Sequence, residues 1–219
     1  MNSKKIITKT IAFVKKELAN AEGGHDWFHI ERVFKTATLI AKEEQTDVFI
    51  VSLAALLHDI AEAKFYNGDE TIGPKKAADF LHSEKVDKQV IAHVLQIITH
   101  MSFKNEFSKE KSPIHSKEFQ VVQDADRLDA IGAIGIARCF NYGGFKNRAI
   151  YNPEILPNLT MTKKEYKNSK APTINHFYEK LLLLKNKMHT KTAKTIAQER
   201  HAFMDVFLDQ FHNEWNGVK

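Results

Sequence analysis

Val48-Phe49-Ile50-Val51-Ser52-Leu53-Ala54-Ala55-Leu56-Leu57-His58-Asp59 is the stretch on which the fold class turns. Its first four residues alone suit a buried strand. Ser52 to Leu57 continues with strong helix formers, and Asp47 stands where an N-cap belongs. The run from Val48 to about Asp59 therefore predicts a helix. It is apolar on nearly every side, so it is expected at the centre of a core. It falls short of the ~18–20 apolar residues that a membrane span needs, and it is the longest apolar run in the chain. No membrane partner is expected.

Composition points the same way. The 219 residues include only nine Gly and five Pro, about half the usual share. A β-sandwich or barrel needs a turn signal every ~8–12 residues, which this supply does not support. Hydrophobic residues at 43% and charged residues at 27% exclude global disorder. The single Cys139 excludes a disulfide framework and a Cys-rich zinc module. The start, Met1-Asn2-Ser3-Lys4-Lys5, is basic, but Thr8, Lys9 and Thr10 break the apolar stretch behind it, so it does not read as a secretion signal. The expected location is the cytoplasm. The net charge of +5 is dispersed, without a Lys/Arg block, and reads as a solvated surface rather than a nucleic-acid footprint.

Outward from the central run, apolar periodicity predicts a helical succession. Ile7, Ile11, Val14 and Leu18 mark a first helix, ended by Gly23-Gly24. Asp26 caps a second, with Ile30, Val33, Ala37, Ile40 and Ala41 inward. Gly73-Pro74 opens a fourth with Pro at its first position. Asp87 opens a fifth, with Val90, Val94, Ile97, Ile98 and Met101 inward. Ser102 to Ser116 is a polar loop. One long sixth helix is expected from about Lys117 to Asn141. Residues 142–171 hold Gly143-Gly144, Pro153 and Pro157 and read as an irregular, lid-like segment. Pro172 starts a helix carrying Phe177 and Leu181 to Leu184. A last helix follows Thr190 and carries Ile196, Phe203, Phe207, Phe211 and Trp215. The expectation is one all-α domain over residues 1–219.

His and Asp gather in three places: His25-Asp26-Trp27-Phe28-His29, His58-Asp59-Ile60-Ala61-Glu62-Ala63-Lys64, and Gln123-Asp124-Ala125-Asp126-Arg127-Leu128-Asp129. The second is the sharpest. A buried helix ending in His-Asp delivers an imidazole and a carboxylate from an apolar interior, and a buried carboxylate is costly without a compensating cation or partner. Together they suit Mn, Fe, Co, Ni, Zn or Mg. The alternative is a helix end facing water. His25 and His29, at i and i+4, share a face, although Asp26 equally suits a cap and His25 a loop. Asp126 and Asp129 share a face, while Asp124 lies about 200° round from Asp126 and at salt-bridge spacing from Arg127. Periodicity leaves open which carboxylate turns inward. His93 and His100 share a face of helix five, with His100 the better placed for a phosphate contact.

Taken together these clusters resemble the HD-domain superfamily of metal-dependent phosphohydrolases, whose pattern H…HD…D is matched by His29, His58-Asp59 and Asp126. His-Ile-Glu-Arg-Val, Leu-Leu-His-Asp-Ile and Ala125-Asp126-Arg127-Leu128 fit the surrounding contexts. The motif core spans about residues 20–140. Asp124 to Arg138, Thr173 to Lys185 with Met188, and Glu199-Arg200-His201 through Trp215 resemble small stand-alone bacterial members similar to nucleotide pyrophosphohydrolases. The resemblance implies a helical bundle with a C-terminal helical extension, residues 172–216. It implies one divalent ion held by His29, His58, Asp59 and Asp126, its identity open among Mn, Ni, Co, Fe, Mg and Zn. Asp59 and Glu62 take catalytic roles, Glu62 as general acid/base in a His-Asp-x-x-Glu arrangement. Lys64, His100, Arg127 and Arg148 are candidates for phosphate contacts. The implied activity is hydrolysis of a phosphoric anhydride or ester of a nucleotide, foremost a nucleoside or deoxynucleoside triphosphate. A nucleoside 5'-monophosphate phosphatase and a non-catalytic metal- or nucleotide-binding module are the alternatives.

Overall fold

The computed structural model describes residues 2–19, 26–61, 69, 71–101, 116–162, 165 and 168–218. The described residues form helices and turns without a strand. They divide into two compact units, 1–125 and 126–219.

The first unit contains α1 (Ser3–Glu17), α2 (Trp27–Glu43), α3 (Val48–Leu57), α4 (Ile72–Ser83), α5 (Lys88–His100) and most of α6 (Lys117–Asp129). The apolar run from Val48 to Leu57 is its centre. Val51 to Leu57 are all buried, and α3 packs against α1, α2 and α5. A helix without a polar face satisfies itself only when covered on every side, and three neighbours provide that cover. The expected caps form: Asp26 accepts from the His29 amide at 2.9 Å, Asp47 from the Phe49 and Ile50 amides, and Asp87 from Gln89 and Val90. Each satisfies backbone donors that a first turn leaves orphaned.

Several details differ from expectation. The buried stripe of α1 is Ile6, Thr10, Val14 and Leu18, with Ile7 and Ile11 only half-buried on its flank. Thr10 tolerates burial because its hydroxyl donates to the Ile6 carbonyl at 2.9 Å. Pro74 sits third in α4, after Ile72 and Gly73. That place also lacks an intrahelical acceptor, so its missing N–H costs nothing. In α5, Ile91 is buried and Val90 half-buried.

The second unit holds the end of α6, then α7 (Gly132–Phe145), α8 (Asn175–Glu179), a 3-10 helix (Leu181–Lys187) and α9 (Lys191–Trp215). The single long helix expected from 117 to 141 is broken at Ala130-Ile131. Gly132 has φ +77°, a left-handed conformation that glycine adopts without penalty. A Cβ there would stand 2.9 Å from Cγ of Arg200. The turn is pinned by long-range ties: Arg138 Nη1 to Asp129 Oδ2 at 2.6 Å and Arg200 Nη1 to the Leu128 carbonyl at 2.5 Å. Beyond the break, α7 runs on through Tyr142 to Phe145, so the lid-like segment expected from 142 begins with helix. The helix expected from Pro172 is the short α8 followed by 3-10 turns.

Thr190 caps α9 through the Ala193 amide at 3.2 Å. The buried stripe of α9 is Ala193, Ala197, Met204 and Leu208. Phe203 and Trp215 are exposed, whereas Phe207 joins Phe140 and Phe177 in a ring cluster with centroids 5.8–6.0 Å apart.

Candidate metal centre

Three of the four residues of the H…HD…D pattern come together. His29, His58 and Asp126 each offer one ligand atom, and these atoms lie within 4.8 Å of one another. His29 is buried at 2% exposure, and His58 and Asp126 are half-buried. Asp59 follows His58 in the turn after α3, half-buried, and is not one of these three.

The local structure explains how each arrives. His29 lies in the first turn of α2, its amide held by the Asp26 carboxylate. His58 is the C-cap of α3. Its Nδ1 lies 2.9 Å from the Ala55 carbonyl. A carbonyl only accepts, so Nδ1 carries the proton and the lone pair of the neutral ring is on Nε2. A second hydrogen bond of this kind fixes tautomer and ring orientation in metal-binding histidines. The two imidazoles meet edge to face, with centroids 5.5 Å apart and planes at 67°. Asp126 is carried in by α6, an unbroken helix most of whose length belongs to the first unit. Two imidazoles, one with its tautomer fixed, and a carboxylate form a donor set suited to a divalent first-row ion.

The three Asp of α6 separate by environment. Asp124, which spacing had also allowed as a surface partner of Arg127, is fully buried. Asp129 is buried and paired with Arg138. Asp126 alone of the three joins the imidazoles.

The other candidate residues that are described make contacts of their own. Arg127, beside Asp126, donates through Nη1 to the Lys187 carbonyl at 2.5 Å and to His189 Nε2 at 3.0 Å. Arg148 donates to the Ser169 carbonyl at 2.7 Å and lies over the Tyr142 ring. His100 ends α5 with Nδ1 on the Gln96 carbonyl at 2.8 Å. His93 meets Ser116 Oγ at 3.0 Å, a structural contact for a histidine not assigned to the site. Glu62, Lys64 and His25 lie outside the described residues.

Comparison with known proteins agrees with this geometry. The HD domain family matches residues 27–131, which contain all four residues of the pattern. The Bacillus subtilis protein YpgQ is 38% identical over 206 residues, covering 94% of this chain and 92% of its own length. An HD-superfamily hydrolase from Bacillus thuringiensis superposes with a TM-score of 0.79 at 44% identity, covering 98% of this chain and 99% of that one. The structure of YpgQ in complex with ADP superposes with a TM-score of 0.75 at 34% identity, over 98% and 97% of the two chains. No helix among the described residues is long and apolar enough to cross a membrane. On the evidence of its helices, its His/Asp cluster and these relatives, the chain belongs to the HD-domain family, which includes HD-superfamily hydrolases.

Proposed function

We propose that the protein is a metal-dependent phosphohydrolase that cleaves a phosphoric anhydride bond of a nucleoside or deoxynucleoside triphosphate and releases pyrophosphate. The observation that carries this reading is the convergence of His29, His58 and Asp126 within 4.8 Å. The complex of YpgQ with ADP supports a nucleotide as the substrate class.

In this reading His29, His58, Asp59 and Asp126 hold one divalent ion. When bound, the ion supplies Lewis acidity to a phosphoryl oxygen and activates water. The chain's own residues do the rest. The Ala55 carbonyl keeps the His58 ring turned with Nε2 as the ligand atom. Asp26 sets the backbone of His29. Glu62, three residues after Asp59, is assigned the proton transfer as general acid/base. Lys64, His100, Arg127 and Arg148 are assigned to the phosphates, where cationic donors offset negative charge.

The test is to incubate Mn²⁺-loaded protein with a panel of nucleotides and identify the products. Pyrophosphate from a triphosphate, lost in Asp59→Ala, is the expected result. Turnover that survives unchanged in Asp59→Ala overturns the proposal. Orthophosphate from monophosphates alone replaces it with a phosphatase. Nucleotide binding without turnover under Mn, Co, Ni or Mg replaces it with a regulatory module.

A further inference from the structure

Exposed rings and positive charge coincide at one place in the second unit, the C-terminal end of α7. From Ala130 to Pro153 the sequence contains no Asp or Glu, and Lys146 and Arg148 fall inside that stretch. Tyr142 and Phe145, three residues apart and so on one face of the helix, are 49% and 63% exposed. Their ring centroids lie 6.5 Å apart with planes at 38°. Lys146, the C-cap of α7, holds its Nζ 4.8 Å from the Phe145 centroid and 5.6 Å from that of Tyr142. The Arg148 Cζ lies 5.6 Å from the Tyr142 centroid.

An ordered turn brings the two cations back onto the rings. Asn147 has φ +50°, a left-handed conformation that asparagine adopts more readily than most residues. The amides of Lys146, Asn147 and Arg148 donate to the carbonyls of Tyr142, Gly144 and Gly143 at 2.9–3.0 Å. Carbonyls that a helix end leaves open are thereby satisfied. Arg148 is anchored through Nη2 to the Ser169 carbonyl at 2.7 Å. The surroundings carry positive potential inward as well. Burial, then Lys180 and Arg148, hold the His176 imidazole below its usual value, and Arg148 pulls against the burial that raises the Cys139 thiol.

We infer that this end of α7 is a platform for a single-stranded nucleic acid, with bases stacked on Tyr142 and Phe145 and the flanking phosphates on Lys146 and Arg148. Every base has a π-face, so rings hold a strand whatever its sequence, while cations beside them follow the backbone. Charge complementarity selects a polyanion. A lipid surface fits less well: sinking the rings among acyl chains would carry the Lys146 ammonium, 4.8 Å from the Phe145 centroid, out of water, and a charge in hydrocarbon is costly. A duplex keeps its base faces inside its own stack and offers the rings none to cover. Strand binding of this kind needs neither a metal ion nor turnover.

The experiment is fluorescence anisotropy of the full chain with a labelled oligothymidylate of about 12 nucleotides, within the usual site size, between about 50 and 200 mM NaCl. The same sequence as a duplex and vesicles of mixed neutral and anionic phospholipid are the comparison probes. Arg148 is left intact, because the nucleotide reading also uses it. The wild type is expected to bind the single strand with a log–log salt slope of about −1.4, from two phosphate contacts at about −0.7 each. Phe145→Ala and Tyr142→Ala each weaken binding at least about fivefold with the slope unchanged, the low end of one stacked base. Tyr142→Phe keeps the stack and the affinity. Lys146→Ala flattens the slope by about 0.7, and Lys146→Arg restores it. Circular dichroism melts confirm that each variant folds. No binding of the single strand by the wild type at the lowest salt, affinity undiminished in both ring variants, or equal affinity for the duplex overturns the platform. Capture by anionic vesicles without strand binding replaces it with a membrane contact.

Discussion

Arg138→Met tests how the turn behind Asp126 is held. Asp129, one helical step of three residues beyond Asp126, is 4% exposed, and Arg138 approaches its carboxylate at 2.6 Å and its carbonyl at 3.2 Å. Removing one partner of a buried pair costs about 3–5 kcal/mol, because the other charge is left without compensation. Arg200 also feels the Asp129 charge, which places the cost near the lower end, about 3 kcal/mol. For a chain of this size each kcal/mol moves Tm by about 2–4 °C, so the expected fall is roughly 6–12 °C. The assay is thermal unfolding followed by far-ultraviolet circular dichroism, which an all-helical chain reports strongly. Asp129→Asn together with Arg138→Met removes both charges and should recover at least half of the loss. A fall below about 2 °C in the single variant, or a double variant as unstable as the two singles added, refutes the reasoning.

Four further outcomes are expected. Burial, with Lys180 and Arg148 adding to it, pushes the His176 imidazole from 6.5 down to about 4; the unfolded chain therefore binds the extra proton between those values, stability falls as pH drops through that window, and about 2 kcal/mol is lost by pH ~5. His176→Gln should flatten that part of the pH dependence in denaturant melts, and an unchanged slope rejects it. Burial pushes the Cys139 thiol up to about 12 against the opposing pull of Arg148; iodoacetamide at about pH 8 should leave native protein unlabelled and label it in guanidinium. Gly132→Ala places a Cβ at φ +77° against Arg200 and should cost about 1–2 kcal/mol, read from the denaturant midpoint. His29→Ala, which removes one member of the cluster, should weaken Mn²⁺ binding by more than about 100-fold in calorimetry, with Tm of the metal-free protein changed far less.

What was legible in the sequence was what depends on neighbours along the chain. Asp26, Asp47 and Asp87 were readable at helix starts because a cap involves a side chain and amides two or three residues on. The full burial of α3 followed from the absence of any polar face. The break after Asp129 was not legible, because Ala130-Ile131-Gly132 contains no proline and the turn is held by Arg138 and Arg200 from other helices. The inner face of α9, with Ala193, Ala197, Met204 and Leu208, was not singled out, because its aromatic residues outrank alanine in hydrophobicity. At the site, spacing left Asp124, Asp126 and Asp129 open. Burial would have chosen Asp124, the most enclosed of them. The motif context chose Asp126, and the cluster contains it. Charge partners such as Arg138 for Asp129, nine residues apart across a turn, are tertiary facts that no period encodes.

The uniform apolarity of α3 has a consequence for its azimuth. A helix with an oily stripe is locked about its own axis by burial, since turning it exposes the stripe. A helix that is equally oily all round is nearly degenerate in rotation, and each residue of slip swings a side chain by about 100°. Besides the packing of α3 against its neighbours, polar ties at its two ends help to aim His58 at His29. At one end Asp47 receives the Phe49 and Ile50 amides while its own amide donates to Glu118. At the other, His58 is tied to Ala55. The hydrophobic core gives this helix its stability, and a few polar atoms at its tips give it its compass bearing.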